Sequence, residues 1–309
     1  MEFPCLLVLA MEMLTPLLLL FFIQNACHTH LLIRIDRNKK NAPMVPTSSG
    51  IFLLPAVITF LPVFLGNFGS AIAIAVLIAG LIGLVDDLKG VGIWVKVPLM
   101  MLPSIPVILY LSIFENEISN PPFLAFVPIV FLAPFITSFF SNAFNILSGY
   151  DGLSTGNGVI QIGVLASLAF ISGKIELLAA SLLLLPPLST IFIFNWFPAK
   201  LFPGNSGTFI TGTLTALLFV YGNFWLALFV VFIPHIAEFV MKLRFRGNSE
   251  VFGTIDENGK ITYSGKPKSI VHFLLLRRHW LEFEISSIFL CIEFVLGLGA
   301  VFIYYLFSI

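Results

Sequence analysis

Charge is scarce in this chain of 309 residues. Only 10% of them are Asp, Glu, Lys or Arg and 58% are hydrophobic, whereas a soluble domain is about one quarter charged, so a water-soluble globular protein is excluded. Cysteine is nearly absent too. Cys5, Cys27 and Cys291 lie in or beside apolar segments with neither paired nor metal-ligand spacing, which leaves no disulfide framework and no cysteine metal site. The opening MEFPCLLVLAMEMLTPLLLLFFI has no basic leading region and no small-residue cleavage site, so it reads as a retained span and not as a signal peptide. Internal repeats and low-complexity linkers are missing, and no nucleic-acid partner is expected.

Apolar stretches fill the space instead. Crossing a hydrocarbon core of about 30 Å takes around 20 helical residues, and such stretches recur from end to end. The expectation is an all-α integral membrane protein, a single domain over 1–309. It would bundle about ten transmembrane helices centred near Leu14, Val57, Ala75, Leu102, Phe131, Ala166, Leu184, Leu214, Leu228 and Phe294. Laid out alternately, these spans put Arg34, Arg37, Lys39, Lys40, Lys89, Lys96, Lys200, Lys242, Arg244, Arg246 and the bases from Lys260 to Arg278 on one side. Only Lys174 falls on the other. That bias makes the basic side cytoplasmic and both termini external. Residues 244–279 are the one soluble piece of any size, and VFGTIDENGKITYSGK alternates around a DENGK turn. A small cytoplasmic β-hairpin insertion before the last helix is expected there.

The polar residues collect on the same side. Asp86 and Asp87 close the apolar run AIAIAVLIAGLIGLV, and carboxylates at that edge cost energy unless they do chemistry or carry ions. About 100° apart on a helix, they point different ways. One can hold a metal or orient a lysine while the other faces substrate; the plain alternative is a helix-end pair neutralised by Lys89. Asn142 and Asn145 share a helical face ahead of SGYDG, and their amides with Asp151 offer hard oxygens suited to Mg²⁺. PGNSGT, Pro203 to Thr208, leads into a span whose N-terminus favours phosphate. Arg244 and Arg246 would face one way in an extended segment, fit for a diphosphate, although as positive-inside anchors they would look the same. Lys96, nine residues beyond Asp87, is placed to pair with the dyad or to snorkel.

In order along the chain, VPTSSG, GLVDDLKG, NAFNILSGYDGL, FNWFPAKLFPGNSG and LRFR resemble the polyprenyl-phosphate N-acetylhexosamine-1-phosphate transferase superfamily, glycosyltransferase family 4. The similarity is greatest to its archaeal and eukaryotic branch, since the histidine-rich motif of the bacterial branches is replaced by Arg-Phe-Arg and a hairpin. The resemblance implies transfer of a sugar-1-phosphate, N-acetylglucosamine-1-phosphate above all, from a UDP-N-acetylhexosamine to polyprenyl or dolichyl phosphate. UMP would be released with Mg²⁺, or Mn²⁺, as cofactor, by a ten-span homodimer in the lipid bilayer. It implies a catalytic role for Asp86, Asp87 and Lys96, substrate contacts from Asn142, Asp151, Phe202, Arg244 and Arg246, and metal ligation by Asn145 and Asn205. Two positions depart from the family pattern. Asn205 stands where the family usually has aspartate, and Phe245 stands where the eukaryotic enzymes have histidine. An archaeal plasma membrane is favoured over endoplasmic reticulum by the compact loops. The rival readings are a secondary transporter of an anionic substrate, a bacterial-type transferase for another UDP-sugar, and an inactive scaffold.

Overall fold

The computed structural model describes residues 17–22, 25, 32–114, 123–245 and 251–308. Most of these are helical, with two short ladders. A β-pair, β1 (Ile33–Ile35) against β2 (Met44–Pro46), runs antiparallel with Arg34 opposite Val45 and leads into a 3₁₀ turn, Ser49–Leu53. The long helix α1, Leu54–Lys89, follows. Then come α2 (Ile93–Leu99), α3 (Ser104–Phe114), α4 (Phe123–Ile146), α5 (Leu153–Ile171), α6 (Ile175–Asn195) and α7 (Gly204–Tyr221). Helices α8 (Trp225–Val231) and α9 (Ile233–Arg244) precede a second ladder, β3 (Thr254–Ile255) with β4 (Ile261–Thr262). The short α10, His272–Leu275, and the long α11, Glu282–Ser308, complete the chain.

Among the described residues five helical stretches are long and apolar enough to cross a membrane: Ser49–Lys89, Ile93–Ile113, Leu153–Ile171, Ile175–Asn195 and Glu282–Phe307. A sixth arises if α8 and α9, bent by 62°, form one broken span. The span expected near Leu14 lies largely outside the described residues, as do Cys5 and Cys27. The two spans expected near Val57 and Ala75 fall in the single element α1, whose backbone leaves helical geometry at Gly66 (φ 59°, ψ −141°). At 1.5 Å per residue the 36 residues of α1 would reach well beyond one hydrocarbon core without such a break.

Helix α7 lies in the middle. Its residues from Ser206 to Phe219 are buried without interruption, and it packs chiefly on α1 and α4, with α5, α8 and the 3₁₀ turn around it. Small residues set that spacing. A Cβ added to Gly83 would stand 2.4 Å from Ser206 Cα, and one on Gly50 would stand 1.9 Å from Gly207 Cα, so backbone meets backbone where α1 and the 3₁₀ turn cross the start of α7.

The segment after α9 is clasped at both ends. The Tyr150 hydroxyl donates to the Val251 carbonyl at 2.9 Å, and buried Glu238 accepts from Ser269 Oγ and the Ile270 amide, both at 2.8 Å. Between them Asp256 Oδ1 accepts from the amides of Asn258 and Lys260 at 2.9 Å each, which closes the turn of the β3–β4 hairpin. A secondary core of Leu147, Tyr150, Leu153, Val251, Ile261, Val271, Leu275, Ile285 and Phe289 holds this segment on the α4–α5 loop, α5 and α11.

Overpacking at a backbone contact typically costs about 1–3 kcal/mol. Gly83→Ala is therefore expected to lower the unfolding temperature in detergent by several degrees. Gly163→Ala, where an added Cβ meets nothing within 4 Å, should leave it nearly unchanged; equal effects would refute the close-packing role of Gly83.

Candidate active site

The C-terminal ends of α1, α4 and α6 and the N-terminal starts of α5, α7 and α11 converge, and the polar residues converge with them. Asp86 and Asp87, both buried, leave the end of α1 in different directions, as adjacent helical positions must. Asp86 Oδ1 accepts from the Val91 amide at 2.6 Å, and its Oδ2 lies 2.5 Å from Lys96 Nζ. Lys89, the other basic candidate, is exposed; the partner of the pair is Lys96. That ammonium also stands 5.9 Å from the centre of the Phe209 ring.

Asp87 turns the other way, onto the start of α7. Its Oδ1 accepts from the Asn205 amide at 2.8 Å and from Asn205 Nδ2 at 3.1 Å. Its Oδ2 accepts from Ser48 Oγ at 2.7 Å, the Ser206 amide at 3.1 Å and Ser206 Oγ at 3.0 Å. Five donors around one carboxylate fill its acceptor positions. This corrects the expectation that the PGNSGT helix N-terminus is open to phosphate: the anion at the α7 N-terminus is Asp87 itself. Gly204 makes the approach possible, with a positive φ of 71° and only 2.4 Å between an added Cβ and Asp87 Oδ2.

Asn145 and Asn205 meet. Asn145 Nδ2 donates to Asn205 Oδ1 at 2.6 Å and to Thr208 Oγ1 at 2.7 Å. Asn142, one turn earlier, points back and donates to the Ser138 carbonyl at 2.8 Å. Two cavities adjoin here. The first, about 360 Å³, is lined by Asp87, Asp151, Phe202, Asn205, Thr208 and Arg34 among others; the second, about 330 Å³, by Lys96, Asn142, Asn145, Lys242 and Phe239 among others. Ser148, Gly149 and Phe252 belong to both. Phe202 is pinned by the VPTSSG segment, its amide donating to the Pro46 carbonyl at 2.7 Å and its carbonyl accepting from Ser49 Oγ at 2.9 Å.

Arg244 is different. It is the last residue of α9 and exposed, not part of an extended segment, and lines neither cavity; Arg246 lies outside the described residues. Lys242, two residues before Arg244 and so on a different side of the helix, reads in sequence only as one of the bases of the cytoplasmic side; it is the α9 base that lines the second cavity.

Beneath the first cavity is a cluster that sequence patterns did not reveal. Asp36, Asp151 and Glu282, all buried, bring carboxylate oxygens within 4.8 Å of one another. The Lys39 ammonium sits among them, bonded to Asp36, 2.5 Å from Asp151 Oδ2 and 3.6 Å from Glu282 Oε2. Asn38 adds Nδ2 bonds to the Gly149 carbonyl and Glu282 at 2.8 and 2.9 Å. Burial pushes the Asp151 carboxyl up from its ordinary range, against Lys39 and the Ala199 amide, which donates to Oδ2 at 2.8 Å. Desolvation pulls the Lys39 ammonium down, but its bonds to Asp151 and Asp36 outweigh that and leave it raised. Spacing could not reveal the cluster because its members, 36 with 39, 151 and 282, lie on three segments far apart in sequence.

Which of these groups suits a cation can be judged from the donors. The acidic cluster already holds one, tethered, in Lys39. Asn145, Asn205 and Thr208 instead gather neutral hard oxygens beside the Asp87 carboxylate, and the Asn145 NH₂ now stands between two of them as a cation would. A half-turn of that amide, which exchanges Oδ1 for Nδ2 in the same space, supplies a third oxygen. This set fits Mg²⁺, which keeps waters and takes few protein ligands.

The architecture defines a polytopic helical protein with a polar, charge-lined site at one end of its helices. Residues 69–223 match glycosyl transferase family 4, and the chain belongs to that family. Among its relatives is a Saccharolobus solfataricus protein, provisionally named a UDP-N-acetylglucosamine–dolichyl-phosphate N-acetylglucosaminephosphotransferase, 31% identical over 289 residues and covered to 86% on both chains. A Sulfolobus acidocaldarius protein with the same provisional name is 32% identical over 283 residues, again 86% of each. The phospho-N-acetylmuramoyl-pentapeptide-transferase of Lactobacillus delbrueckii subsp. bulgaricus is 28% identical over 268 residues, 79% of this chain and 80% of its own.

Removing one partner of a buried charge cluster costs about 3–5 kcal/mol. Lys39→Met should show such a loss at neutral pH. With the ammonium gone, the Asp151 pKa rises further above its unfolded value, so the deficit should be smallest at acid pH, where the carboxyl is protonated in both states. It should grow as pH rises through the folded pKa. Thermal unfolding across pH checks this; a deficit independent of pH would refute the pairing.

Proposed function

We propose that the protein transfers N-acetylglucosamine-1-phosphate from UDP-N-acetylglucosamine to a polyprenyl phosphate of the dolichyl type, releasing UMP and leaving a lipid-linked diphosphate sugar. The observation that carries this reading is the Asp86–Lys96 pair facing one of two adjoining cavities, with the Asn145–Asn205–Thr208 cluster at their border. The names of the archaeal relatives give the donor and acceptor classes. Family membership makes the protein a transferase; Mg²⁺ dependence, the particular sugar and the residue roles belong to the proposal.

On this reading the nucleoside occupies the first cavity, against Phe202 and Asp151, and the acceptor phosphate enters the second, beside Lys96 and Lys242. The reacting phosphorus then lies at their border, near Ser148, Gly149 and Phe252. An acceptor phosphate oxygen forms a bond to the β-phosphorus, the bond to the bridging oxygen breaks, and UMP departs with the electron pair. A phosphate monoester with a second pKa of about 6 is already largely ionised at neutral pH, so a strong general base is not required. Lys96, aimed by Asp86, offsets the repulsion between the two anions and stabilises charge on the transferring group. Asn145, Asn205 and Thr208 would hold Mg²⁺, which neutralises phosphate charge when bound. The proposal includes a ten-span topology, with the breaks at Gly66 and between α8 and α9 dividing or bending spans. It also places the site on the cytoplasmic face of an archaeal plasma membrane, supported by the bases around the cavities.

Purified protein given UDP-N-acetylglucosamine, dolichyl phosphate and Mg²⁺ is expected to release UMP, and chelation should stop it. UMP from UDP-N-acetylmuramoyl-pentapeptide alone would favour the bacterial relatives' chemistry, and UMP from no UDP-hexosamine would refute the transferase reading.

Removing one positioned electrostatic group typically costs about 10²–10³ in kcat. Lys96→Met is expected to lose kcat on that scale with a much smaller change in KM for the nucleotide sugar. An unchanged kcat would remove Lys96 from the chemistry.

A further inference from the structure

Asp87 and Asn205 form a pair whose polarity is dictated by chemistry. An ionised carboxylate only accepts hydrogen bonds, so the side-chain atom of Asn205 that lies 3.1 Å from Asp87 Oδ1 is the nitrogen. The other end of that amide, Oδ1, is thereby turned toward Asn145, whose Nδ2 meets it at 2.6 Å, next to Thr208. The Asn205 backbone is fixed by the same carboxylate, its amide donating to Oδ1 at 2.8 Å. Ser48 and Ser206 occupy Oδ2, so Asp87 is held from both sides and its orientation is set by two separate segments.

We infer that Asp87 is a positioning residue for the ligand oxygen of Asn205, and that asparagine stands at 205 because its amide alone can donate to Asp87 while presenting an oxygen to the cation. Aspartate in the same place would set a second carboxylate about 3 Å from the first, where like charges repel at a cost of kcal/mol scale. A cation between Asn145 and Thr208 would relieve that repulsion. The natural pair needs no such relief, so the α7 start keeps its shape without the ion. Asn145 differs because, among the described residues, no carboxylate fixes it and its Nδ2 meets only neutral oxygens: its amide is the member that can turn and exchange nitrogen for oxygen. This rests on the proposed placement of Mg²⁺ at these residues, but the Asp87–Asn205 coupling can be read from stability alone.

The test compares Asn205→Asp with Asn205→Ala by thermal unfolding of the full chain in detergent, first with EDTA and then with Mg²⁺. Ala removes the hydrogen bond without adding charge. In EDTA, Asn205→Asp is expected to unfold several degrees below Asn205→Ala; in Mg²⁺ the order should reverse, with Asn205→Ala, which has lost the ligand oxygen, shifting least of the three. Adding Asp87→Asn to Asn205→Asp should recover part of the loss in EDTA, whereas Asp87→Asn alone is destabilising. Two independent losses that simply add in the double variant would overturn the coupling. So would Asn205→Asp matching or exceeding Asn205→Ala in EDTA. An unchanged order in Mg²⁺ would leave these residues without a part in holding the ion, which also overturns the inference. Failure of the transferase reading shows separately, as no UMP release by the natural protein, and would leave the EDTA comparison standing.

Discussion

The Asp87 carboxylate at the start of α7 is the interaction from which the site is built. A buried charge is tolerated only when its hydrogen-bonding capacity is met, and here five donors meet it: two backbone amides, two hydroxyls and one side-chain amide. The N-terminal end of a helix favours an anion through its unpaired N–H groups and its dipole. Asp87 therefore fastens the end of α1 to the beginning of α7, and Ser48 brings the 3₁₀ turn to the same point. Once α7 is fixed at Gly204, Asn205 and Thr208 face Asn145 on α4. Gly83, Gly50 and Gly207 let the three backbones come close enough for those bonds to form.

Adjacent sequence positions with opposite directions give the acidic pair two jobs. The Asp87 side chain is bonded to the start of α7 and to Ser48, while Asp86 holds Lys96 at 2.5 Å on the other side of the helix. The base that remains available to an incoming anion is thus oriented by a carboxylate that is itself fixed by the Val91 amide. Lys242 adds positive charge from α9. Two anionic reactants could be brought together only where such charge is arranged in advance, because reorganising long side chains during the reaction would forfeit much of the stabilisation.

Much of this was legible in the residues themselves, for reasons that can be named. Low charge and recurring apolar runs declare a membrane-spanning helical protein, and helical periodicity alone says that Asp86 and Asp87 diverge. The motifs carrying Asp86, Asn145, Asp151, Phe202 and Asn205 are local and Lys96 follows at a fixed spacing, so these residues can be recognised singly, and the structure brings all six around the two cavities. What sequence could not supply were the partners. Lys39 and Glu282 belong to no motif and look like a loop base and a helix-start acid; they meet Asp151 only because the β1–β2 connection and α11 pack beside the α4–α5 loop. The α7 N-terminus looked open to phosphate because the carboxylate that fills it lies 118 residues away. Arg244 suggested a strand spacing, but α9 runs through it and leaves it exposed. The break of α1 at Gly66 and the bend between α8 and α9 depend on backbone geometry that an apolar run does not encode.

On the proposed reading, the contrast between the two oxygen clusters decides which of them takes a divalent ion. Asp36, Asp151 and Glu282 offer far more negative charge than Asn145, Asn205 and Thr208, and by charge alone they would win. Their cation is already present and covalently attached, however: Lys39 reaches them from three residues beyond Asp36, and a free ion must displace a group held at high effective concentration. Among the described residues the amide cluster has no tethered charge as competitor, only the Asn145 NH₂. Being neutral, it holds an ion weakly by itself, and the missing negative charge must come from whatever enters the adjoining cavities. Phosphate oxygens are the ligands that Mg²⁺ most readily accepts beside a few protein oxygens. On the proposed reading, a nucleotide diphosphate and its ion then complete each other's binding: the protein sets the position through Asp87 and Asn205, and the substrate brings the charge.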